Sequence, residues 1–233
     1  VLLNRTFVFT QAPDNPPAYA TPSVIPAIGL AAAVYPFATL DIPVLSDLGI
    51  GGMFYRALGL KSDPPNTEQL ADTVLQTYEF GLRWRWNILD ELTSPTLRVG
   101  LDFGQQHFVI NTPAGVVEEL PDIIYTYIKP GIEVDWVYYA ESGVRLGLVG
   151  GFELPLVVSA GDIERDPAQG GFGSASVFAF DLGVGLYLRY AGFTGRFAAS
   201  YRRYSLNFGC QGAGCRAASD TYLGGALLLG YAY

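Results

Sequence analysis

Charge is scarce in this chain: Asp, Glu, Lys and Arg make up 15% of its 233 residues, where ordinary soluble domains carry about 25%. Positive charge is scarcer still. Fourteen Lys and Arg stand against 22 Asp and Glu, for a net charge of −8. No cationic surface is present to grip a phosphate backbone, so a nucleic-acid partner is not expected. Long hydrophobic runs are missing too. The longest candidate, AIGLAAAVYPFA at 27–38, contains Pro36 and falls short of the roughly 18 uninterrupted residues of a membrane helix. Yet half of the residues are hydrophobic and 14% are aromatic. A chain of this composition that enters a bilayer must do so as strands.

Histidine and cysteine are nearly absent. With the single histidine, His107, far in sequence from the two cysteines, a zinc site lacks ligands, and no cofactor is expected. Cys210 and Cys215, in FGCQGAGCR, are separated by four residues, three of them Gly or Ala. The chain can turn back there and close a small disulfide loop, which implies an oxidising compartment.

What the chain has in quantity is alternation. In SVFAFDLGVGLYLRY, from Ser176 to Tyr190, one parity reads Phe178, Phe180, Leu182, Val184, Leu186, Leu188 and Tyr190, while the other holds Asp181, Gly183, Gly185, Tyr187 and Arg189. A period of two is the mark of a strand with two different faces. Ten segments carry the pattern, near 2–11, 23–37, 47–61, 74–88, 96–110, 123–139, 144–158, 176–190, 196–208 and 221–233. Parity is uncertain in the first, and in the ninth, RFAASYRRYSLNF, it blurs after Tyr201. Long connectors rich in Pro, Gly and acids alternate with shorter ones such as DELTSP, AESG and AGFTG, ATLDIPVLS being a longer exception. The long ones therefore collect at one end, as the external loops of an even-stranded membrane barrel do. No linker or composition break divides 1–233, so one domain is expected.

The chemistry of the two faces decides which solvent each meets. One face is almost continuous Leu, Val, Ile, Phe and Trp, more than ten strands can hide inside a barrel. The other pairs acids with bases: Glu79, Asp102, Glu133, Asp135, Glu153 and Asp181 against Arg83, Arg85, Arg98, Lys129, Arg145 and Arg189. These twelve are expected to form a lumenal charge network, with the apolar face turned to lipid. A sheet in a bilayer must also close on itself, because an open edge leaves unpaired N–H and C=O groups. Aromatics near strand ends (Tyr35, Phe37, Trp84, Trp86, Trp136, Tyr138, Tyr139, Tyr187, Tyr190, Tyr231, Tyr233) suit interfacial girdles. The expected fold is all-β: a transmembrane antiparallel up-and-down barrel of about ten strands, with long extracellular loops and short periplasmic turns.

In this architecture, and in its last strand LLLGYAY, the chain resembles bacterial outer-membrane β-barrel proteins of the small OmpA/OmpW-like group. Leu227, Leu229 and Tyr231 alternate up to a terminal aromatic, Tyr233, an ending that looks like the signal read by the barrel-assembly machinery. The best-known small members have eight strands; ten is the number in omptin proteases. The resemblance implies residence in the outer membrane of a Gram-negative bacterium, among outer-membrane lipid and lipopolysaccharide, with any protein partner met through the external loops.

Catalysis is not expected. His107 shares the lipid-facing parity of Phe103 and needs a bulge to reach the lumen, as an omptin-like site requires, and it has no evident serine partner for a phospholipase-like site. Asp162, Glu164 and Asp166 cluster in one loop but lack the spacing of a calcium loop, and NRT at 4–6 matches a sequon without consequence in a bacterial barrel. Two function classes follow: a structural or interaction barrel with a largely filled lumen, and a narrow porin-like channel for ions or small solutes.

Overall fold

The computed structural model of the chain describes residues 1–11, 19–20, 24–40, 42, 44–62, 70–89, 91, 93–111, 120–166, 171–209 and 216–231. Ten long strands form one antiparallel, up-and-down ring. They are β1 (Leu2–Gln11), β2 (Ile25–Val34), β3 (Leu48–Ala57), β4 (Ala71–Asn87) and β5 (Thr96–Asn111), followed by β6 (Ile123–Glu141), β7 (Val144–Glu153), β8 (Ala175–Tyr190), β9 (Phe193–Phe208) and β10 (Arg216–Tyr231). Each pairs with the next, and β10 closes on β1 in a register running from Leu2↔Gly225 to Gln11↔Ala217. The fold is the expected ten-stranded barrel.

Three short strands complete the wall. Tyr19–Ala20 lies against Thr6 and Phe7 of β1, and Lys61–Ser62 against the start of β4. Leu156–Gly161 continues β7 past Leu154 and Pro155, pairing with β6 from Ile128 to Ile123. The β1–β2 junction is brief, at Leu2↔Pro26 and Leu3↔Ile25. Beyond it towards the short turns, 28–34 of β2 and 226–231 of β10 have no strand between them among the described residues, and both faces of β2 are exposed there.

Two connectors are as tight as a hairpin allows. Ser142 and Gly143 (φ 51° and 80°) join β6 to β7, and Ala191 and Gly192 (φ 48° and 84°) join β8 to β9. Two consecutive positive φ values give the turn whose twist matches the strands it joins, and glycine takes the second position at no steric cost. With 35–47 and 88–95, these turns define one end of the barrel. The opposite ends of the strands form the other, the loop end.

The strands are longer than a membrane crossing requires. β4, β5, β6, β8, β9 and β10 have 16 to 19 residues each, where a tilted transmembrane strand needs about 9–11. The outer face divides accordingly. On the turn half it is apolar: Phe80 and Leu82 on β4, Leu101 and Phe103 on β5, Ile132 and Val134 on β6 and Leu227 and Leu229 on β10 are all exposed. On the loop half of the same strands, polar side chains join the outward face: Gln76 and Tyr78 beside Val74, then Gln105 and His107 beside Val109, then Thr126 beside Ile124. The inside reverses in step: charged residues fill the turn half, and Phe7, Leu75, Phe108, Ile123, Leu206 and Phe208 are buried in the loop half.

Candidate functional site

The lumen is built in three levels. At the loop end it is sealed by an aromatic and aliphatic core. Phe7, Phe9, Phe172 and Phe208 meet ring to ring with centroids 4.9–6.3 Å apart. A single 3-10 turn, Asp162–Glu164, lowers Ile163 into full burial among them. Glu164 fastens that turn by accepting from the backbone N–H groups of Ala160 at 2.7 Å and Ala175 at 3.3 Å. Asp162 pairs with Arg165 at 2.7 Å. No group of three metal-ligating side chains occurs among the described residues.

Beneath the seal lies the fully buried pair Arg5–Asp220, at 2.7 Å. Arg5 donates through Nε and Nη2 to the two carboxylate oxygens, and its guanidinium rests 3.5 Å from the Phe108 ring centre, on the far wall. Asp220 also accepts from the hydroxyls of Tyr125 (3.1 Å) and Tyr222 (2.9 Å). Tyr125 stacks on Tyr204 with centroids 3.8 Å apart. One ion pair thus joins the first strand to the last and draws in side chains from β5, β6 and β9.

The middle level is a charge network that crosses the lumen. Lys129 bridges Glu79 (2.6 Å) and Glu153 (2.5 Å), and Arg202 bridges Asp181 (2.5 Å) and Glu79 (3.2 Å). Tyr127 donates to Glu79 at 2.7 Å, and Gln106 accepts from Arg202 (2.9 Å) and Tyr204 (3.0 Å). Six strands contribute. Burial of charges at this density is tolerable only when each is paired and hydrogen-bonded, and Glu79 and Lys129 have 2% of their side-chain surface exposed. Glycine makes the packing feasible: Tyr127 lies over Gly104, where a Cβ would come within 2.5 Å of its ring.

The third level faces the short turns. Arg83 pairs with Asp102 at 2.5 Å, and Arg98 holds Glu133 (2.6 Å) and Asp135 (2.8 Å). Arg189 reaches Asp135 at 3.0 Å and Arg196 reaches Glu133 at 3.2 Å. Arg85 pairs with Asp47 at 2.9 Å and lies over the Tyr35 ring. Of these residues, Arg85, Arg98, Asp135 and Arg189 border a cavity of about 500 Å³, whose wall also includes Arg145 and Glu91.

Eleven of the twelve side chains assigned to the charge network from sequence make ion pairs. Arg145 departs from that expectation: it lines the cavity and is exposed, and it takes part in no ion pair among the described residues. Tyr35 and Tyr187 depart from the girdle assignment. Tyr35 sits beneath a lumenal guanidinium, and Tyr187 is buried against Gly147, where a Cβ would meet its ring at 2.2 Å. Arg5, Asp47, Arg196, Arg202 and Asp220 are lumenal partners that alternation did not single out. His107 stays on the outward parity, 3.1 Å from Gln105 Oε1 and 5.6 Å from the Tyr78 ring. Leu227, Leu229 and Tyr231 also face outward. Cys210, Cys215 and Tyr233 lie outside the described residues. No protein-family model matches this sequence, and no curated protein matches it.

Proposed function

We propose that this barrel is an outer-membrane protein of a Gram-negative bacterium, of the small OmpA/OmpW-like kind. In this reading its lumen is plugged and its role is structural or interactive, not conductive or catalytic. The observation that carries the reading is the reversal of faces along one set of strands. The turn half is apolar outside and charged inside; on the loop half of β4–β6 the outer wall gains polar side chains (Gln76, Tyr78, Gln105, His107, Thr126) while the interior turns aromatic. A soluble barrel gains nothing from leaving Leu30 75% and Leu229 83% exposed, since soluble monomers keep contiguous apolar patches small. A bilayer around the turn half supplies the missing solvent, and the loop half then projects as a solid stalk carrying the long connectors.

Lipid and lipopolysaccharide are the neighbours of the outer wall, and any protein partner is met at the loop end. Leu227, Leu229 and Tyr231, with Tyr233, serve as the signal to the barrel-assembly machinery. The plug supports a closed lumen because its side chains bond across the barrel, leaving no continuous aqueous path. Planar-bilayer recording of the purified protein tests this directly: reconstituted barrels are expected to stay silent, and steady conductance would favour the narrow-channel reading instead. The membrane assignment has a separate test. The protein is expected to partition into detergent or liposomes, and a stable monomer in plain buffer would overturn it.

A further inference from the structure

We propose that the turn-side cavity is a binding site for a small oxyanion, a phosphate or carboxylate group, with Arg145 as its principal ligand. Cross-strand register is the first argument. Arg145 and Arg189 stand directly opposite one another on β7 and β8, and Arg85 and Arg98 do the same on β4 and β5. All four line the cavity. Like charges directly opposed across a ladder are destabilising, so two such pairs facing one space need compensation. Three of the four arginines have it. Arg85 holds Asp47, Arg98 holds Glu133 and Asp135, and Arg189 holds Asp135. Among the described residues, Arg145 pairs with no carboxylate.

The second argument is the sign of the wall. A chain of net charge −8 lines this space, among the described residues, with four arginines against two carboxylates, Glu91 and Asp135. Asp135 is already shared between two guanidiniums. A cation entering the cavity meets unscreened Arg145; an anion meets a planar fork of N–H donors, the geometry that takes phosphate or carboxylate oxygens in pairs. A volume of about 500 Å³ admits a small organic anion. The buried charge network closes the barrel above, so the cavity ends blind and holds its ligand without passing it on. This inference needs only the cavity and its charges, and stands apart from the membrane assignment.

The test is a titration of the folded barrel in zwitterionic detergent at low salt. Inorganic phosphate and succinate are the probes, calcium chloride is the opposite-sign control, and arginine Nε–Hε resonances are the readout. One saturable site per barrel is expected, weakening as ionic strength rises. Arg145→Ala is expected to lower affinity at least tenfold. Arg56→Ala, on the exposed outer face of β3, leaves it unchanged. Tighter phosphate assigns a phosphorylated ligand, and tighter succinate a carboxylate. Because Arg145 is exposed and free of ion pairs, its substitution leaves the barrel folded, as unchanged gel mobility of the unheated protein will verify. Absence of a saturable shift with either anion, wild-type affinity in Arg145→Ala, or a calcium-saturable response at Arg145 would overturn the proposal.

Discussion

Arg202 and Glu79 stand on strands five places apart in a ring of ten, diametrically opposed, and Arg202 Nη2 lies 3.2 Å from Glu79 Oε1. A contact of that length between opposite walls leaves no open bore at its level. It also makes the two sides of the barrel mutually dependent, because Glu79 serves both Lys129 and Arg202, and each of those cations holds a second carboxylate. Stability and closure thus rest on the same few side chains.

Glu79→Ala is expected to cost about 3–5 kcal/mol, because removing one partner leaves Lys129 and Arg202 buried with too little opposing charge. Arg189→Ala, which breaks a pair whose guanidinium is 36% exposed, should cost about 1 kcal/mol or less. Urea unfolding in detergent, followed by tryptophan fluorescence, compares the two. Equal losses would show that position in the lumen is irrelevant to the network's contribution.

Asp220→Ala addresses closure. Arg5 then keeps its burial and its place over Phe108 but loses its counter-charge, again about 3–5 kcal/mol. The loss falls on the seam between β1 and β10, since Arg5 and Asp220 belong to those two strands. Amide exchange is the measurement: β1 and β10 should exchange faster than in the parent, while β5 and β6 keep their protection. Uniform acceleration through all ten strands would mean that the barrel opens as one unit.

Strand number, strand order and the outward face were legible because the outward positions of the turn half are apolar at a strict period of two. Lumenal charge was legible where it shared strands with that face, hence eleven of the twelve assigned residues in ion pairs. The loop half was harder. Polar residues enter its outward face on β4, β5, β6 and β9 while aromatics enter the inward one, so those strands mix their code mid-course. The parity of β9 blurs after Tyr201 for this reason: Tyr204 and Phe208 point inward, Arg203 and Ser205 outward. Arg5 and Asp220 were hidden in the same way, and Arg202 sits at the crossing itself. Tyr187 eluded the girdle reading because its environment depends on a glycine in the next strand, a pairing visible only once register is known.

Two glycines test how tightly the lumen is filled. A Cβ at Gly104 would come within 2.5 Å of the Tyr127 ring, and one at Gly147 within 2.2 Å of Tyr187, while at Gly183 nothing lies within 4 Å. Gly104→Ala and Gly147→Ala are expected to cost about 1–3 kcal/mol through overpacking. Gly183→Ala should be neutral or slightly stabilising, as alanine narrows the unfolded ensemble. The same unfolding assay ranks the three, and a penalty at Gly183 matching the others would point to backbone, not side-chain, crowding.

The boundary between the two halves can be located by one charge moved along one strand. Leu101 and Val109 both face outward on β5, eight residues or about 26 Å apart along the strand, and they fall on opposite sides of the change from apolar to polar wall. If lipid surrounds the turn half, Leu101→Arg places a guanidinium deep in hydrocarbon and should cost about 2–4 kcal/mol. Val109→Arg places the same group beyond the interface, opposite Val74 and diagonal to Gln76, where the expected cost is about 0–1 kcal/mol. Refolding into liposomes of defined thickness gives both values on one scale. A barrel that meets water along its whole length would tolerate the two substitutions equally, since both side chains would then point into solvent. The difference between them therefore measures the surrounding medium, not the packing of the fold.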